Sequence, residues 1–226
     1  GEAMHHGGTF LRPGRMNEYE AKQVLRDAGI SGPRETLLTD DHIPDDICYP
    51  AYVKICSRDI VHKSDAGLVT RVSSREEAAG AATDIRQRAH RAFPDAMIQG
   101  ILVSEDVSTG DSRELILGTT RDRDFGPVVS LGIGGVSAEI YADVAFRALP
   151  LRKKDVYDML HELKGRAMLG AFRGKKPVNL EALSDTVLAF SSLLTEHPEV
   201  VEGDINPLLV DAERAVAADA YLEVEG

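Results

Sequence analysis

The sequence predicts an α+β protein folded as lobes, and three observations carry that reading. Strand-like runs and helical stripes interleave without the regular strand–helix–strand order of a doubly wound sheet. Two helical stripes open on capping-box pairs, Asn17 with Glu20 and Ser74 with Glu77. The chain closes on a hairpin signal, two apolar runs joined through residues 211–214.

Taken in order, residues 1–16 read as a flexible start or cloning remnant, so His5 and His6 are set aside as metal ligands. The fold is expected over residues 17–226. Ala21, Val24, Leu25 and Ala28 keep helical spacing, and Gly29 ends that helix. A short strand is expected at residues 35–38. Residues 39–50 are polar, broken by Pro44 and Pro50, and read as loop. Residues 51–56 and 68–72 read as strands flanking a polar loop. Ala78, Ala82, Ile85, Ala89 and Ala92 form a helical stripe that stops before Pro94. Further strands are predicted at 97–103, 114–119 and 127–131, then a glycine-rich turn at 132–135. Helices are predicted at 153–163 and 179–194, and strands at 203–210 and 215–224.

Composition narrows the function. Of 226 residues, 43% are apolar and 28% charged, which suits a globular core. A net charge of −11 argues against a nucleic-acid-binding surface. Two cysteines, Cys48 and Cys56, make neither a disulfide framework nor a zinc spacing. With no apolar run of transmembrane length and no secretory signal, a cytoplasmic protein without membrane attachment is expected.

The run from Lys54 to Gly67 is the densest in chemistry. An apolar strand carries one inward lysine, suited as a point charge to a nucleotide phosphate, and leads to a loop holding His62, Lys63, Ser64 and Asp65. An ordinary imidazole, with a pKa near ~6.5, is largely neutral at pH 7, so its free ring nitrogen can attack phosphorus. Asp65 can hold the other ring nitrogen, and Ser64 can donate to a phosphate oxygen. This points to phosphoryl transfer from a nucleoside triphosphate onto His62, although a lone loop histidine is more often a plain surface residue.

The closing hairpin is the metal candidate. With its turn at residues 211–214, Val210 faces Ala215 and Asn206 faces Asp219. Directly opposed antiparallel residues share a face with Cβ atoms about 4.5–5.5 Å apart. Asp204 lies two residues before Asn206 and shares it too. One amide and two carboxylates suit Mg²⁺ held together with nucleotide phosphates; the same pattern also fits an exposed polar sheet face. Gly134 and Gly135, after a strand, allow backbone amides to approach a phosphate, or simply form a tight turn; Glu139 follows them. Glu105 and Glu114 bracket a strand-to-strand hinge that can offer backbone groups to an adenine edge, or are merely solvated.

These motifs resemble, in order, the ATP-grasp β subunit or domain of NDP-forming acyl-CoA synthetases. That family includes ADP-forming acetyl-CoA synthetase and is related to the succinyl-CoA synthetase β subunit. The resemblance covers residues 17–223. It is carried by Asn17-Glu18-Tyr19-Glu20-Ala21-Lys22, the stretch 53–69, Arg113-Glu114-Leu115-Ile116-Leu117-Gly118, and Leu131-Gly132-Ile133-Gly134-Gly135. Asp143-Val144-Ala145-Phe146-Arg147, Leu169-Gly170-Ala171-Phe172-Arg173-Gly174 and Asp204-Ile205-Asn206-Pro207-Leu208 match as well.

It implies an ATP-grasp fold with two lobes clasping a nucleotide, the smaller spanning about residues 34–103. It implies ATP or ADP with Mg²⁺, and a partner α subunit that binds CoA, carries its own phosphohistidine and assembles with this chain as a hetero-oligomer. Lys54 would contact phosphates, the hinge from Glu105 to Val107 adenine, and Gly134 and Gly135 the phosphates. Asn206 and Asp219 would hold Mg²⁺ with Asp204 nearby, and His62 would carry the phosphoryl group. The chain departs from the family in its short segment 39–49, in Asp106 where an apolar residue is usual, and in showing no CoA-binding segment. A regulatory or scaffold subunit without transfer chemistry, or a carboxylate ligase that does not use His62, are the competing readings.

Overall fold

Asn17 opens the first helix as its capping pair predicts. In the computed structural model, which describes residues 11–135 and 143–226, Asn17 Oδ1 accepts from the Glu20 amide at 2.8 Å. Glu20 Oε1 accepts from the Asn17 amide at 3.0 Å, and helix α1 runs Glu18–Asp27. Ser74 caps α2 (Arg75–Ala92), its Oγ accepting from the Glu77 amide at 3.2 Å. The reciprocal half differs from the expected box: the Glu77 carboxylate takes the amide of Ser73, at 2.7 Å.

The smaller sheet has four antiparallel strands, in the order β2 (Glu35–Leu38), β5 (Gly100–Glu105), β3 (Ala51–Cys56), β4 (Val69–Val72). Its apolar face buries Val53, Ile55, Ile101 and Val103 under Ala78, Ala82, Ile85 and Ala89 of α2. This sheet runs from Glu35 in β2 to Glu105 at the end of β5. The strand expected from residue 97 begins at Gly100 instead. Met97 is tied off beforehand, its amide by Asp59 Oδ2 at 2.7 Å and its carbonyl by Ser57 Oγ at 2.6 Å. Residues 39–50 are loop, as their prolines predict.

The larger sheet has seven strands. Along its path lie β1 (Gly14–Arg15), β11 (Ala220–Val224), β9 (Val200–Val210), β6 (Arg113–Asp122), β7 (Gly126–Ile133) and β8 (Val144–Ala148), while β10 (Ala215–Ala217) also pairs with β9. Helices α3 (Lys153–Glu162) and α4 (Leu180–Glu196) bury Val156, Met159, Val187 and Phe190 with the sheet residues Leu117, Leu131 and Leu208. Ala21, Val24 and Leu25 of α1 join this core. Asn179, expected inside α4, is its cap, with Oδ1 3.0 Å from the Ala182 amide.

Two strands were not expected. Gly14 and Arg15 pair with Val224 and Glu223, and Met16 is buried, so the start set aside as flexible gives its last residues to the sheet. Strand β8 pairs with β7 at the opposite edge. Arg113, buried on β6, joins two of the recognised motifs. Its guanidinium donates to the carbonyls of Asp111, Met168, Gly170 and Lys176 at 2.6–2.7 Å, which pins the segment after α3. Among the described residues, no helix is long and apolar enough to cross a membrane.

Candidate active site

Asn206 and Asp219 meet where the larger sheet is interrupted. The register between β6 and β9 shifts between Leu115 and Leu117, and Pro207, which has no amide hydrogen to donate, sits opposite the shift. On the other side of β9 the partner strand breaks between Ala217 and Ala220. Pairing carries across the gap, with the Asn206 amide 2.9 Å from the Asp219 carbonyl and the Ala218 amide 3.0 Å from the Pro207 carbonyl. The register expected from the hairpin therefore holds at the residues that matter. Asp204 pairs with Tyr221, two residues further along.

Burial, and after it the neighbouring Asp219 charge, push the Asp204 carboxyl up to about 6, against an opposing hydrogen bond from Asn206. A carboxyl raised by a neighbouring carboxylate beside an amide oxygen fits a divalent cation, whose charge would relieve the repulsion. Among the described residues no three His, Cys, Asp or Glu side chains cluster as a metal site. The candidate set is two carboxylates and an amide, which would leave the remaining positions of a bound cation to water and phosphate.

Lys54 points inward from β3, as its place in an apolar strand predicts, and is 6% exposed. It is not a free charge. Its Nζ lies 2.6 Å from Glu18 Oε2 and 3.5 Å from the Ala218 carbonyl. The same Glu18 oxygen takes Lys22 Nζ at 2.6 Å, and Lys22 also reaches Glu35 Oε2 at 2.8 Å. The other Glu18 oxygen pairs with Lys63 Nζ at 2.8 Å, and Lys63 stands 3.6 Å from Asp219 Oδ1. Three lysines thus face three carboxylates, Glu18, Glu35 and Asp219. Burial alone would raise the Glu18 carboxyl, but Lys22, Lys54 and Lys63 outweigh it and hold the group well below the usual carboxylate range. Lys63, against its own burial, is raised by Glu18 and Asp219.

The sequence reading missed Glu18, Lys22 and Glu35 as members of the site. An acid in the first turn of a helix, with a lysine four residues later, reads as an ordinary exposed pair. The signal that was available is that Glu18 and Lys22 share the helix face with Ala21 and Leu25, which is buried.

Between the sheets lie three adjoining cavities, and Asp219 lines all of them. One of about 300 Å³ is bounded by Lys54, Ser64, Glu105, Val107 and Glu114. A second of about 410 Å³ is bounded by Glu18, His62, Lys63, Asp204 and Asn206. A recess of about 160 Å³ joins His62, Ser64 and Asp65 to Asp219. His62 and Asp65 are exposed at the crest of the loop. The expected bond from Asp65 to the His62 ring is not made; Lys63, between His62 and Ser64, is the residue drawn inward.

At the hinge, Glu105 Oε1 accepts from the Arg34 amide at 2.9 Å, and Val107 is buried. Asp106, the unusual hinge residue, is held by Arg71 Nε at 2.9 Å and Ser108 Oγ at 2.6 Å. Gly134 and Gly135 do not line the cavities themselves but pack against Glu114, which does. The Gly134 amide donates to the Glu114 carbonyl at 2.8 Å, and a Cβ on Gly134 would stand 3.1 Å from that oxygen. Gly135 has φ +83°, a conformation that favours glycine. Glu139 lies outside the described residues. Arg147, left without a role by the sequence, pairs with Glu162.

The sequence and the overall fold match known proteins. Residues 12–224 match the family model of the ATP-grasp domain. The chain is 40% identical over 210 residues to the β subunit of acetate–CoA ligase [ADP-forming] I of Pyrococcus furiosus, covering 91% of this chain and 90% of that one. It is 39% identical over 201 residues to acetate–CoA ligase [ADP-forming] I of Archaeoglobus fulgidus, covering 87% of this chain but 29% of that longer one. Its structure superposes on acetyl-coenzyme A synthetase 1 of Ca. Korarchaeum cryptofilum, solved with coenzyme A and Ca-AMPCP, with TM-score 0.89, 35% identity and 94% of each chain covered. Fold, cleft and relatives agree, and the chain belongs to the ATP-grasp family, alongside the β subunits of ADP-forming acetate–CoA ligases.

Proposed function

We propose that this chain is the nucleotide-binding β subunit of an ADP-forming acyl-CoA ligase, and that it passes a phosphoryl group between ATP or ADP and His62. The observation that carries the reading is the shared wall of the cleft: His62, Asp204, Asn206 and Asp219 bound one cavity, and Asp219 and Ser64 link it to the cavity of Lys54 and the hinge. Adenine lies at the hinge from Glu105 to Val107, and the triphosphate runs past Lys54 toward His62. Ser64 donates to a phosphate oxygen there, Glu114 bounds the nucleotide cavity, and Gly134 and Gly135 pack behind it. Asp65 borders the recess that the transferred group crosses.

The chemistry balances without further reagents. The free nitrogen of a neutral His62 imidazole attacks the γ-phosphorus, the bond from phosphorus to the bridging oxygen breaks, and ADP leaves with that electron pair. In reverse, ADP attacks the phosphoramidate and regains the group. Asn206, Asp219 and Asp204 would hold Mg²⁺, which supplies charge neutralisation at the phosphate oxygens. The acid and CoA are handled by a partner α subunit with its own phosphohistidine. The name of the Pyrococcus relative, a β subunit, and the longer Archaeoglobus chain both support a partner.

The test is reconstitution with an α subunit, paired with calorimetry of ATP binding. The wild-type pair is expected to form ADP and acyl-CoA from ATP, acid and CoA. His62→Ala should bind Mg-ATP normally yet give no turnover. Asp219→Asn should weaken the Mg²⁺ dependence of binding by at least about tenfold. Turnover with His62→Ala would favour a ligase working through an acyl phosphate alone.

A further inference from the structure

Lys63 follows His62 directly, and its ammonium is drawn down to Glu18 Oε1 at 2.8 Å, leaving the side chain 12% exposed. Around it the loop is held largely by its own backbone. The Leu68 amide bonds the Lys63 carbonyl at 2.8 Å, and the Gly67 amide bonds the Ser64 carbonyl at 3.1 Å. From Val61 to Asp65, Lys63 supplies the polar contact to other elements, among the described residues. Glu18 is itself held from its other side: that oxygen is shared by Lys22 and Lys54 at 2.6 Å each, and the residue sits in the first turn of a capped helix, on its buried face.

We propose that Glu18 is a positioning residue: through Lys63 it ties the crest of the His62 loop to helix α1 and sets where the imidazole stands over the cleft. The proposal rests on His62 being the phosphoryl acceptor. In-line attack tolerates little displacement, and a shift of about 1 Å can cost about 10²-fold in rate. Glu18 thus acts on the reaction at one remove, through Lys63. Lys63 reports on the tether from its other end.

The experiment compares Lys63→Met, Lys63→Arg and Glu18→Gln with wild type in two measurements. The first is hydrogen exchange of the amides in residues 61–67. The second is the single-turnover rate of His62 phosphorylation beside the Kd for Mg-ATP. Lys63→Met is expected to speed exchange in the crest by at least about tenfold while β3 stays protected. The phosphorylation rate should fall about 10²-fold, with the Kd changed by less than about threefold. Lys63→Arg, which keeps the charge, should recover most of both. Glu18→Gln should slow the transfer although it leaves the Lys63 charge in place; because it also loosens Lys54, faster exchange in residues 61–67, which a loosened Lys54 alone would not cause, is the readout that identifies the tether. If Glu18→Gln does not fold, the Lys63 pair decides.

Unchanged exchange in Lys63→Met would overturn the proposal, as would faster exchange with an unchanged rate. A wild-type chain that takes no phosphate would sink the His62 reading instead. The exchange contrast would still decide whether the tether exists.

Discussion

Glu18 collects three lysines around one carboxylate, and such a cluster is stable only because every charge in it is answered. Cys56 illustrates a different balance, in which burial, helped by the Glu18 and Glu20 charges, outweighs the nearby Lys63 ammonium. Burial raises its thiol to about 11 from an ordinary 9.0. At pH 8 the native thiol should therefore alkylate about 100-fold more slowly than the same thiol in the unfolded chain, since two pKa units remove that much thiolate. The sign follows for stability. An unfolded Cys56 ionises near 9.0 and the folded one near 11, so its contribution is intact below 9.0 and is lost as pH rises between them.

Which site residues the sequence revealed follows a pattern. Asn206, Asp219 and Asp204 were legible because hairpin pairing has a fixed arithmetic once the turn is placed. Lys54 was legible because a charge in an apolar strand demands a reason. Glu18 and Glu35 were not, since their partners lie in other elements and only packing brings them together.

At the scale of elements, close backbone approach sets the smaller sheet. A Cβ at Gly100 would stand 2.4 Å from the Leu38 carbonyl oxygen and 3.0 Å from Leu37 Cδ1, so β2 and β5 would have to part. Gly100→Ala is expected to cost about 1–3 kcal/mol in chemical denaturation. Gly80, in α2, faces nothing within 4 Å, and Gly80→Ala should stabilise by about 0.5–1 kcal/mol. The two strands that escaped the sequence did so for separate reasons. Gly14–Arg15 is only two residues long. In β8 the large residues Val144 and Phe146 face outward and Ala145 inward, which inverts the usual alternation. The capped helices and the closing hairpin, by contrast, carry their signals within a few residues.

At the scale of the molecule, α1 joins the two sheets. Its buried face enters the larger core through Ala21, Val24 and Leu25, while Glu18 and Lys22 at the edge of that face reach Glu35 of β2, Lys54 of β3 and the loop at Lys63. Glu20 adds a two-pronged pair to Arg58, with Oε1 at 2.8 Å and Oε2 at 2.5 Å. A nucleotide held between the sheets should therefore stabilise the whole chain. At about 100 times its Kd, Mg-ATP adds about 2.7 kcal/mol, which for a chain of this size raises Tm by about 5–10 °C. Chelating the Mg²⁺ should remove most of that shift, and Asp219→Asn should show little of it with the metal present. An equal shift in all three conditions would separate nucleotide binding from the hairpin.

The most direct test is transfer itself. The chain, alone or together with an α subunit as in the proposed assembly, is incubated with γ-phosphate-labelled ATP and Mg²⁺, beside His62→Ala. Acid-labile, base-stable label on the wild-type chain, mapped to His62 and missing from the variant, is the predicted result. Label that survives in His62→Ala, or a wild-type chain that binds Mg-ATP beside its partner and never takes up phosphate, would contradict the account.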